Sequence, residues 1–166
     1  MPRVLFVCTA NICRSPVAAA ILRHLLEGRG YRGWQVASGG TLAMPGLEAT
    51  PHSIEVLAER GLDLGEHRAQ RVEAEDVKRA DLVLCMESGH AEALRIENPG
   101  ERRKIFLLTE MIGRHENVAD PYGGPKEWYE IMADQLSELI ERGLPRIVEL
   151  AQANAARRVP AAPPTS

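Results

Sequence analysis

The chain has 166 residues, a formal net charge of −3 and 45% hydrophobic residues, which is typical of one globular domain with a single core. The slightly negative net charge argues against nucleic acid or an anionic membrane surface as a partner. Residues 4–7 form too short an apolar run for a secretion signal, and no run approaches the roughly 18 apolar residues of a membrane span. Because the three cysteines have no framework spacing, we expect a reducing, cytoplasmic location.

The first two elements form a strand, loop and helix unit. Residues 4–7 are apolar and β-prone, and residues 16–26 have helix-forming composition. Ser15 is predicted as the N-cap and Pro16 as the first helical residue. The positive end of this helix is therefore expected to point at the loop over residues 8–15.

Strand and helix patterns alternate along the rest of the chain. Apolar runs predict strands at 34–38, 81–86 and 104–108, and helical patterns predict helices at 51–60, 88–96 and 128–151. This alternation predicts an α/β fold, a three-layer sandwich in which helices cover both faces of a four-stranded parallel sheet. Ala, Arg and Pro dominate beyond that, so we expect one domain over 1–153 and a flexible tail over 154–166.

The loop after the first strand carries a thiol at Cys8, a guanidinium at Arg14 and a hydroxyl at Ser15. The backbone N–H groups between Cys8 and Arg14 can surround one tetrahedral dianion, and Arg14 can hold two of its oxygens. The same positive surroundings favour a Cys8 thiolate, which can attack phosphorus and form a cysteinyl-phosphate, while Ser15 donates a hydrogen bond to the sulfur. The alternative is that Cys8 only ends a buried strand and that Arg14 is a solvated residue at the helix start.

A leaving group in such a reaction needs a proton, and Asp120 is the candidate donor. Pro121 holds Asp120 in an extended, non-helical conformation on a loop. Gly123 and Gly124 allow that loop to approach a ligand, and Tyr122 can wall a planar substrate. Asp-Pro pairs also start turns in many proteins, so a purely structural interpretation stays open.

The stretch from Val7 to Pro16, VCTANICRSP, together with the later Asp120-Pro121-Tyr122, resembles the low-molecular-weight protein tyrosine phosphatases over about residues 3–152. The resemblance implies that Cys8 is the nucleophile, that Arg14 binds phosphate and stabilises the transition state, and that Asp120 acts first as acid and then as base. It implies further substrate contacts from Thr9, Ala10, Asn11, Ile12, Cys13, Ser15 and Tyr122. Asn11, Ser15, Ser38 and His67 match polar positions that support the loop.

The resemblance also implies a phosphorylated protein as substrate, a phosphate-binding loop after the first strand, and no metal or other cofactor. No His/Cys cluster in the sequence has the spacing of a zinc site. The other four histidines are predicted to be surface or packing residues: His24, His52, His90 and His115.

Two positions give opposite indications of the leaving group. Ile12 favours phosphotyrosine, because isoleucine suits a phenyl ring, whereas a threonine there is typical of relatives that resemble protein-arginine phosphatases. The glycine-containing loop after Asp120 instead resembles that of bacterial and arginine-specific members. We give Ile12 more weight, with arginine phosphatase as the alternative. Residues 41–46 replace a common aromatic wall by aliphatic residues, which leaves more of the substrate contact to Tyr122.

The remaining cysteines raise two further hypotheses. Cys13 is close enough along the loop to form a reversible disulfide with Cys8, unless it is only a small packing residue. An arsenate reductase needs two further relay cysteines, but only Cys85 remains, in a predicted strand. A non-catalytic phosphate-binding module would need neither Cys8 as nucleophile nor Asp120 as acid. The sequence leaves the oligomeric state open.

Overall fold

The computed structural model of the chain describes residues 1–158. In that part of the chain it has four β-strands, five α-helices and two short 3₁₀ helices. The strands are β1 (Arg3–Cys8), β2 (Gln35–Gly40), β3 (Leu82–Cys85) and β4 (Ile105–Leu107). The α-helices are α1 (Arg14–Gly28), α2 (Pro51–Glu59), α3 (Ala74–Arg79), α4 (Ser88–Glu97) and α5 (Lys126–Arg158). The 3₁₀ helices are Pro99–Lys104 and Leu108–Ile112.

The four strands form one sheet in the order β2-β1-β3-β4. Every neighbouring pair is parallel, and Val4 of β1 lies between Val36 of β2 and Leu82 of β3. The predicted α/β fold with a four-stranded parallel sheet is therefore confirmed. Such a sheet needs helices on both faces, which explains why β1 and β3 are almost continuously apolar.

Alternate side chains of β1 face two different cores. Val4, Phe6 and Cys8 belong to the larger core, which α1 and α5 cover. Leu5 and Val7 belong to the smaller core on the opposite face, which α3 and α4 cover. This alternation directs Cys8, the last residue of β1, toward α1 and α5 at the carboxyl end of the sheet.

The start of α1 and the helix α3 differ from the sequence prediction. Helix α1 begins at Arg14 with Cys13 as its N-cap, so the predicted capping role of Ser15 is wrong. The Ser15 hydroxyl instead contacts the side chains of Cys8 and Asn11. Helix α3 has no counterpart among the predicted helices, because it has six residues and buries only Val77.

The end of α5 also differs, because the helix continues through residues 154–158 of the predicted flexible tail. Ala155 is buried, Asn154 Nδ2 donates to the carbonyl oxygen of Asp81 at 2.8 Å, and Arg158 Nε donates to Asp81 Oδ1 at 2.8 Å. These contacts fix the last turns against the start of β3. The other part of the predicted tail, 159–166, lies outside the described residues. No helix in the described range is both long and apolar enough to cross a membrane.

Candidate active site

The loop between β1 and α1 lines a cavity of about 350 Å³ at the carboxyl end of β1. Open α/β sheets bind ligands at this edge. The cavity brings together the three residues that the sequence analysis assigned to catalysis, Cys8, Arg14 and Asp120. Its other lining residues are Thr9, Ala10, Asn11, Ile12, Cys13, Leu42, Met44, Leu47 and Tyr122. We call residues 8–15 the phosphate loop.

The sulfur of Cys8 lies among hydrogen-bonding groups at the base of this loop. Cys8 is buried, and its Sγ is 2.9 Å from Ser15 Oγ. The backbone N–H of Asn11 donates to the same sulfur at 3.3 Å. The N-terminal end of α1 lies beside them and adds its partial positive charge. The sulfur therefore lies where hydrogen-bonding groups and a helix N-terminus surround it.

Asn11 holds the phosphate loop in its curled shape. Among residues 1–158 it is the one non-glycine residue with positive φ, at 58°, a conformation that asparagine tolerates better than most residues. Its fully buried side chain donates from Nδ2 to Ser15 Oγ at 2.8 Å and to Ser38 Oγ at 2.9 Å. Its Oδ1 accepts from the Gln70 N–H at 2.9 Å, and its carbonyl oxygen accepts from His67 Nε2 at 2.7 Å. The structure thus brings the predicted supporting residues together around Asn11.

The Arg14 guanidinium is buried and partly engaged. Nη1 donates to the carbonyl oxygen of Val118 at 2.8 Å and lies 3.0 Å from Glu87 Oε2. Nη2 is 3.5 Å from Thr9 Oγ1 and 3.6 Å from Asp120 Oδ2. Nε is buried and has no hydrogen-bond partner within the described chain. A phosphate oxygen in the loop would supply the acceptor that this buried N–H lacks.

His90 and Glu87 are parts of the site that the sequence analysis missed. His90, predicted as a surface or packing residue, is buried and makes specific polar contacts. Its Nδ1 accepts the backbone N–H of Glu87 at 3.2 Å, so Nε2 carries the hydrogen of the neutral ring. That nitrogen lies 2.9 Å from Thr9 Oγ1 and 3.4 Å from Glu87 Oε2. Burial lowers the pKa of His90, against the opposing effect of the Glu87 carboxylate.

A signal for these two residues was present in the sequence. Glu87 follows directly on the strand predicted at 81–86, and His90 lies in the first turn of the helix predicted after it. Residues after the carboxyl ends of neighbouring parallel strands meet at one edge of the sheet. Val7 of β1 pairs with Cys85 of β3. That pairing is what brings Glu87 beside Arg14 and His90 beside Thr9.

Residues 119–124, which we call the acid loop, bring Asp120 to the cavity. The Asp120 side chain is 47% exposed, and its Oδ1 accepts the N–H of Tyr122 at 3.1 Å in a local turn. Gly123 has φ of 82°, a conformation that glycine adopts without strain. Tyr122 is 66% exposed and lines the cavity together with Asp120. The carboxyl group therefore lies where both the cavity and solvent reach it.

One wall of the cavity is apolar and aliphatic. Ile12 is half-buried within the phosphate loop, and Leu42, Met44 and Leu47 are exposed on the loop that follows β2. Tyr122 is the one aromatic ring in this lining. The cavity thus offers a flat ring an apolar surface, and it offers a charged group no additional partner along this wall.

Cys13 turns its sulfur toward α5 and α2. Its Sγ is 3.6 Å from Thr50 Oγ1 and 3.9 Å from the hydroxyl of buried Tyr129. Burial raises the pKa of the Cys13 thiol. Cys8, Cys13 and Cys85 are all free thiols. Over residues 1–158, no three His, Cys, Asp or Glu side chains are grouped so that they would hold a metal ion.

Comparison with known proteins gives one consistent result. A family model described as low molecular weight phosphotyrosine protein phosphatase matches residues 3–155. A protein-arginine-phosphatase of Geobacillus stearothermophilus is 41% identical over 141 residues, which are 84% of this chain and 92% of that protein. A crystal structure of a low molecular weight protein tyrosine phosphatase from T. tengcongensis is 41% identical with a TM-score of 0.83, covering 88% of this chain and 99% of that one.

A second solved structure, the YwlE arginine phosphatase, is 35% identical with a TM-score of 0.84 and covers 92% of this chain and 99% of that one. It is a cysteine-to-serine mutant whose active-site serine is phosphorylated. These matches cover both loops of the cavity and confirm the resemblance drawn from the sequence. The chain belongs to the low molecular weight phosphotyrosine protein phosphatase family.

Proposed function

We propose that this member of the family hydrolyses phosphotyrosine in protein substrates through a cysteinyl-phosphate intermediate. The observation that carries the proposal is the cavity of about 350 Å³ that Cys8, Arg14 and Asp120 line together. It combines a nucleophile, a phosphate-binding cation and a proton donor, which together suffice for hydrolysis of a phosphate ester without a metal.

In the first step the phosphate group occupies the phosphate loop, where backbone N–H groups and the free Nε of Arg14 hold its oxygens. The Cys8 thiolate attacks phosphorus in line with the bond to the leaving oxygen. As the S–P bond forms and the P–O bond breaks, Asp120 gives its carboxyl proton to the leaving oxygen. The products are a cysteinyl-phosphate and a free tyrosine hydroxyl.

In the second step Asp120, now a carboxylate, takes a proton from a water molecule whose oxygen attacks phosphorus. The P–S bond breaks, Cys8 returns to the thiolate, and inorganic phosphate leaves. The Ser15 hydroxyl, 2.9 Å from the sulfur, stabilises the departing thiolate. The phosphorylated active-site serine of the YwlE mutant supports transfer of the phosphoryl group to the residue at the position of Cys8.

The aliphatic wall supports an aryl leaving group. Ile12, Leu42, Met44 and Leu47 give a phenyl ring apolar contact, and Tyr122 adds a face on which the ring can stack. The second candidate is a protein-arginine phosphatase. It is favoured by the glycine-containing acid loop and by the name of the relative from Geobacillus stearothermophilus.

The deciding experiment measures kcat/KM on two peptides that differ only in carrying phosphotyrosine or phosphoarginine. We expect at least about a tenfold preference for phosphotyrosine, and a smaller preference after Ile12→Thr, because the threonine removes apolar contact with the ring. Cys8→Ser serves as the inactive reference. A preference of the parent for phosphoarginine would favour the second candidate, and phosphate binding without turnover of either peptide would favour a binding module.

The proposed location is the cytoplasm. Cys8, Cys13 and Cys85 are free thiols, and the reducing pool of that compartment maintains thiols in this state. Cys8 must be reduced to act as the nucleophile, so a reducing compartment also fits the proposed reaction.

A further inference from the structure

The indole ring of Trp128, the third residue of α5, packs directly against the backbone of the acid loop. A Cβ atom added to Gly124 would lie 2.0 Å from Trp128 Cε3 and 2.7 Å from Cδ2 and Cζ3. The φ of Gly124 is not in the positive region that favours glycine. Glycine is therefore needed here for the contact with the ring and not for the backbone conformation.

The two ends of the acid loop are held in different ways. At the upstream end Val118 is buried, donates its N–H to the carbonyl oxygen of Met86 at 2.8 Å and accepts from Arg14. The two hydrogen bonds within the loop are local: Tyr122 N–H to Asp120 Oδ1, and Gly124 N–H to the carbonyl oxygen of Pro121 at 2.9 Å. Local bonds shape a loop but do not attach it to the rest of the fold. In the middle of the loop, Asp120 Oδ2 lies 3.6 Å from Arg14 Nη2 and Pro121 is buried. At the downstream end the ring of Trp128 packs against the loop.

The acid loop is also a thin partition between two cavities. Asp120 lines the phosphate cavity on one side and, on the other, a cleft of about 160 Å³ whose walls include Trp128 and Ile131. A loop that swings away from the substrate would move into this cleft. Because the indole ring forms part of the cleft wall while it covers Gly124, it opposes that movement.

We propose that Trp128 is a positioning residue that holds the acid loop so that the Asp120 carboxyl reaches the leaving oxygen. This inference rests on the proposed function, in which Asp120 is the general acid. General acid catalysis matters most when the leaving group is strongly basic, and it matters little when the leaving group departs without a proton. A displaced Asp120 therefore gives a loss of rate that depends on the leaving group, which a general loss of folding would not give.

The test compares kcat/KM of Trp128→Ala on phenyl phosphate, which has a basic leaving group, and on 2,4-dinitrophenyl phosphate, which has a weakly basic one. We expect a loss of about tenfold on phenyl phosphate and less than about twofold on 2,4-dinitrophenyl phosphate. Trp128→Phe keeps a flat ring and is expected to restore most of the rate. Ile131→Ala removes another exposed apolar side chain from the same cleft and is expected to leave both values unchanged.

A second variant, Gly124→Ala, changes the acid-loop side of the contact between Gly124 and the Trp128 ring. In Gly124→Ala the new methyl group displaces the ring, so we expect the same leaving-group-dependent loss as for Trp128→Ala. In the Trp128→Ala background, Gly124→Ala is expected to add no further loss, because the ring it would displace is gone. Independent, additive losses from the two substitutions would overturn the proposal.

Asp120→Asn, measured on the same two substrates, separates this inference from the proposed function. If Asp120→Asn loses rate mainly on phenyl phosphate while Trp128→Ala loses equally on both substrates, or on neither, the positioning role of Trp128 is overturned and the acid role of Asp120 stands. If Asp120→Asn loses no more on phenyl phosphate than on 2,4-dinitrophenyl phosphate, the acid role itself is overturned, and the positioning role with it.

Discussion

Two loops meet at the phosphate cavity, and they are built in opposite ways. In the phosphate loop, Asn11 and Ser15 are fully buried and Arg14 is 1% exposed. Their side chains bond to one another, to β2 and to the segment after α2. In the acid loop, the Asp120 side chain is 47% exposed, Tyr122 is 66% exposed, and the hydrogen bonds between loop residues are local.

The difference follows from what each loop has to do. A phosphate group has a fixed shape and charge, so donors that are already in place stabilise the transition state without reorganisation. A general acid must reach leaving groups of different shapes and exchange its proton with water, which requires exposure. Substitutions in the phosphate loop should therefore change stability and rate together, whereas substitutions in the acid loop should change rate alone.

The largest expected effect tests the acid loop. Asp120→Asn should lower kcat/KM on phenyl phosphate by about 10²–10³, because the amide has no proton to give to the leaving oxygen. Its free energy of unfolding should stay within about 0.5 kcal/mol of the parent value, because the side chain is half exposed and the amide oxygen still accepts from Tyr122. Steady-state kinetics and urea unfolding measure the two quantities. A clear loss of stability would remove the contrast between the loops.

The matching test of the phosphate loop is Asn11→Ala. It should lower the free energy of unfolding by about 2–4 kcal/mol, because it removes the acceptor of the Gln70 N–H and the buried donor to the hydroxyls of Ser15 and Ser38, and gives alanine a φ of 58°. Urea unfolding measures the loss. Asn11→Gly is the control, since glycine adopts this φ but makes no side-chain bonds. Full recovery by glycine would mean that the backbone alone matters here.

The same contrast explains what the sequence predicted well. The phosphate loop is one contiguous stretch, and the apolar run before it and the helix pattern after it fix its place in the fold without knowledge of distant contacts. The four strands were predicted within two residues of their bounds for the same local reason. Helix α3 lacked such a pattern, since Val77 is the one apolar side chain that it buries.

Features that depend on distant contacts were predicted poorly. Ser15 is a residue type typical of an N-cap, but Cys13 takes that position; the Ser15 hydroxyl lies against Cys8, as predicted, and also against Asn11, because the loop curls back over the strand end. Glu87 and His90 reach the site only because β3 pairs with β1. The sequence places both residues after a buried strand, but it does not state which strands are neighbours. Tertiary contacts, not local propensity, decide each of these features.

A smaller effect concerns Cys13, whose sulfur points out of the phosphate loop toward Thr50 and Tyr129. Peroxide converts the Cys8 thiolate to a sulfenic acid, and attack by the Cys13 thiol then forms a disulfide and releases water. Because burial raises the pKa of Cys13, that attack should be slow, yet faster than further oxidation of Cys8. After peroxide treatment, dithiothreitol should therefore restore severalfold less activity in Cys13→Ser than in the parent.

Cys85→Ser is the matched control for Cys13→Ser, because Cys85 is another buried thiol and lies in β3 outside the phosphate loop. It is expected to recover its activity like the parent. If Cys13→Ser recovers equally well, Cys13 is a packing residue and the disulfide hypothesis is wrong.

The smallest effect is a change in how stability depends on pH, and it comes from His90, which links the phosphate loop to α4. Burial lowers the pKa of His90 in the folded protein below the value of about 6.5 that an unfolded chain gives it. Between these two pKa values the unfolded chain binds the proton and the folded protein does not. The stability that neutral His90 contributes is thus complete above about pH 6.5 and is lost as the pH falls through the folded pKa.

Burial also lowers the pKa of His67, so the parent has two histidines that make it less stable in mild acid. His90→Asn keeps an acceptor near the Glu87 N–H but removes the titrating ring, so the free energy of unfolding should fall less steeply between about pH 6.5 and 5. Urea unfolding at several pH values measures the slope of the free energy of unfolding against pH.

His115→Asn is the control. It removes a histidine whose side chain is 81% exposed and should leave this slope unchanged. If His90→Asn also keeps the parent slope, the proton that destabilises the fold in acid binds elsewhere, and the buried contact between His90 and the phosphate loop is not what senses pH.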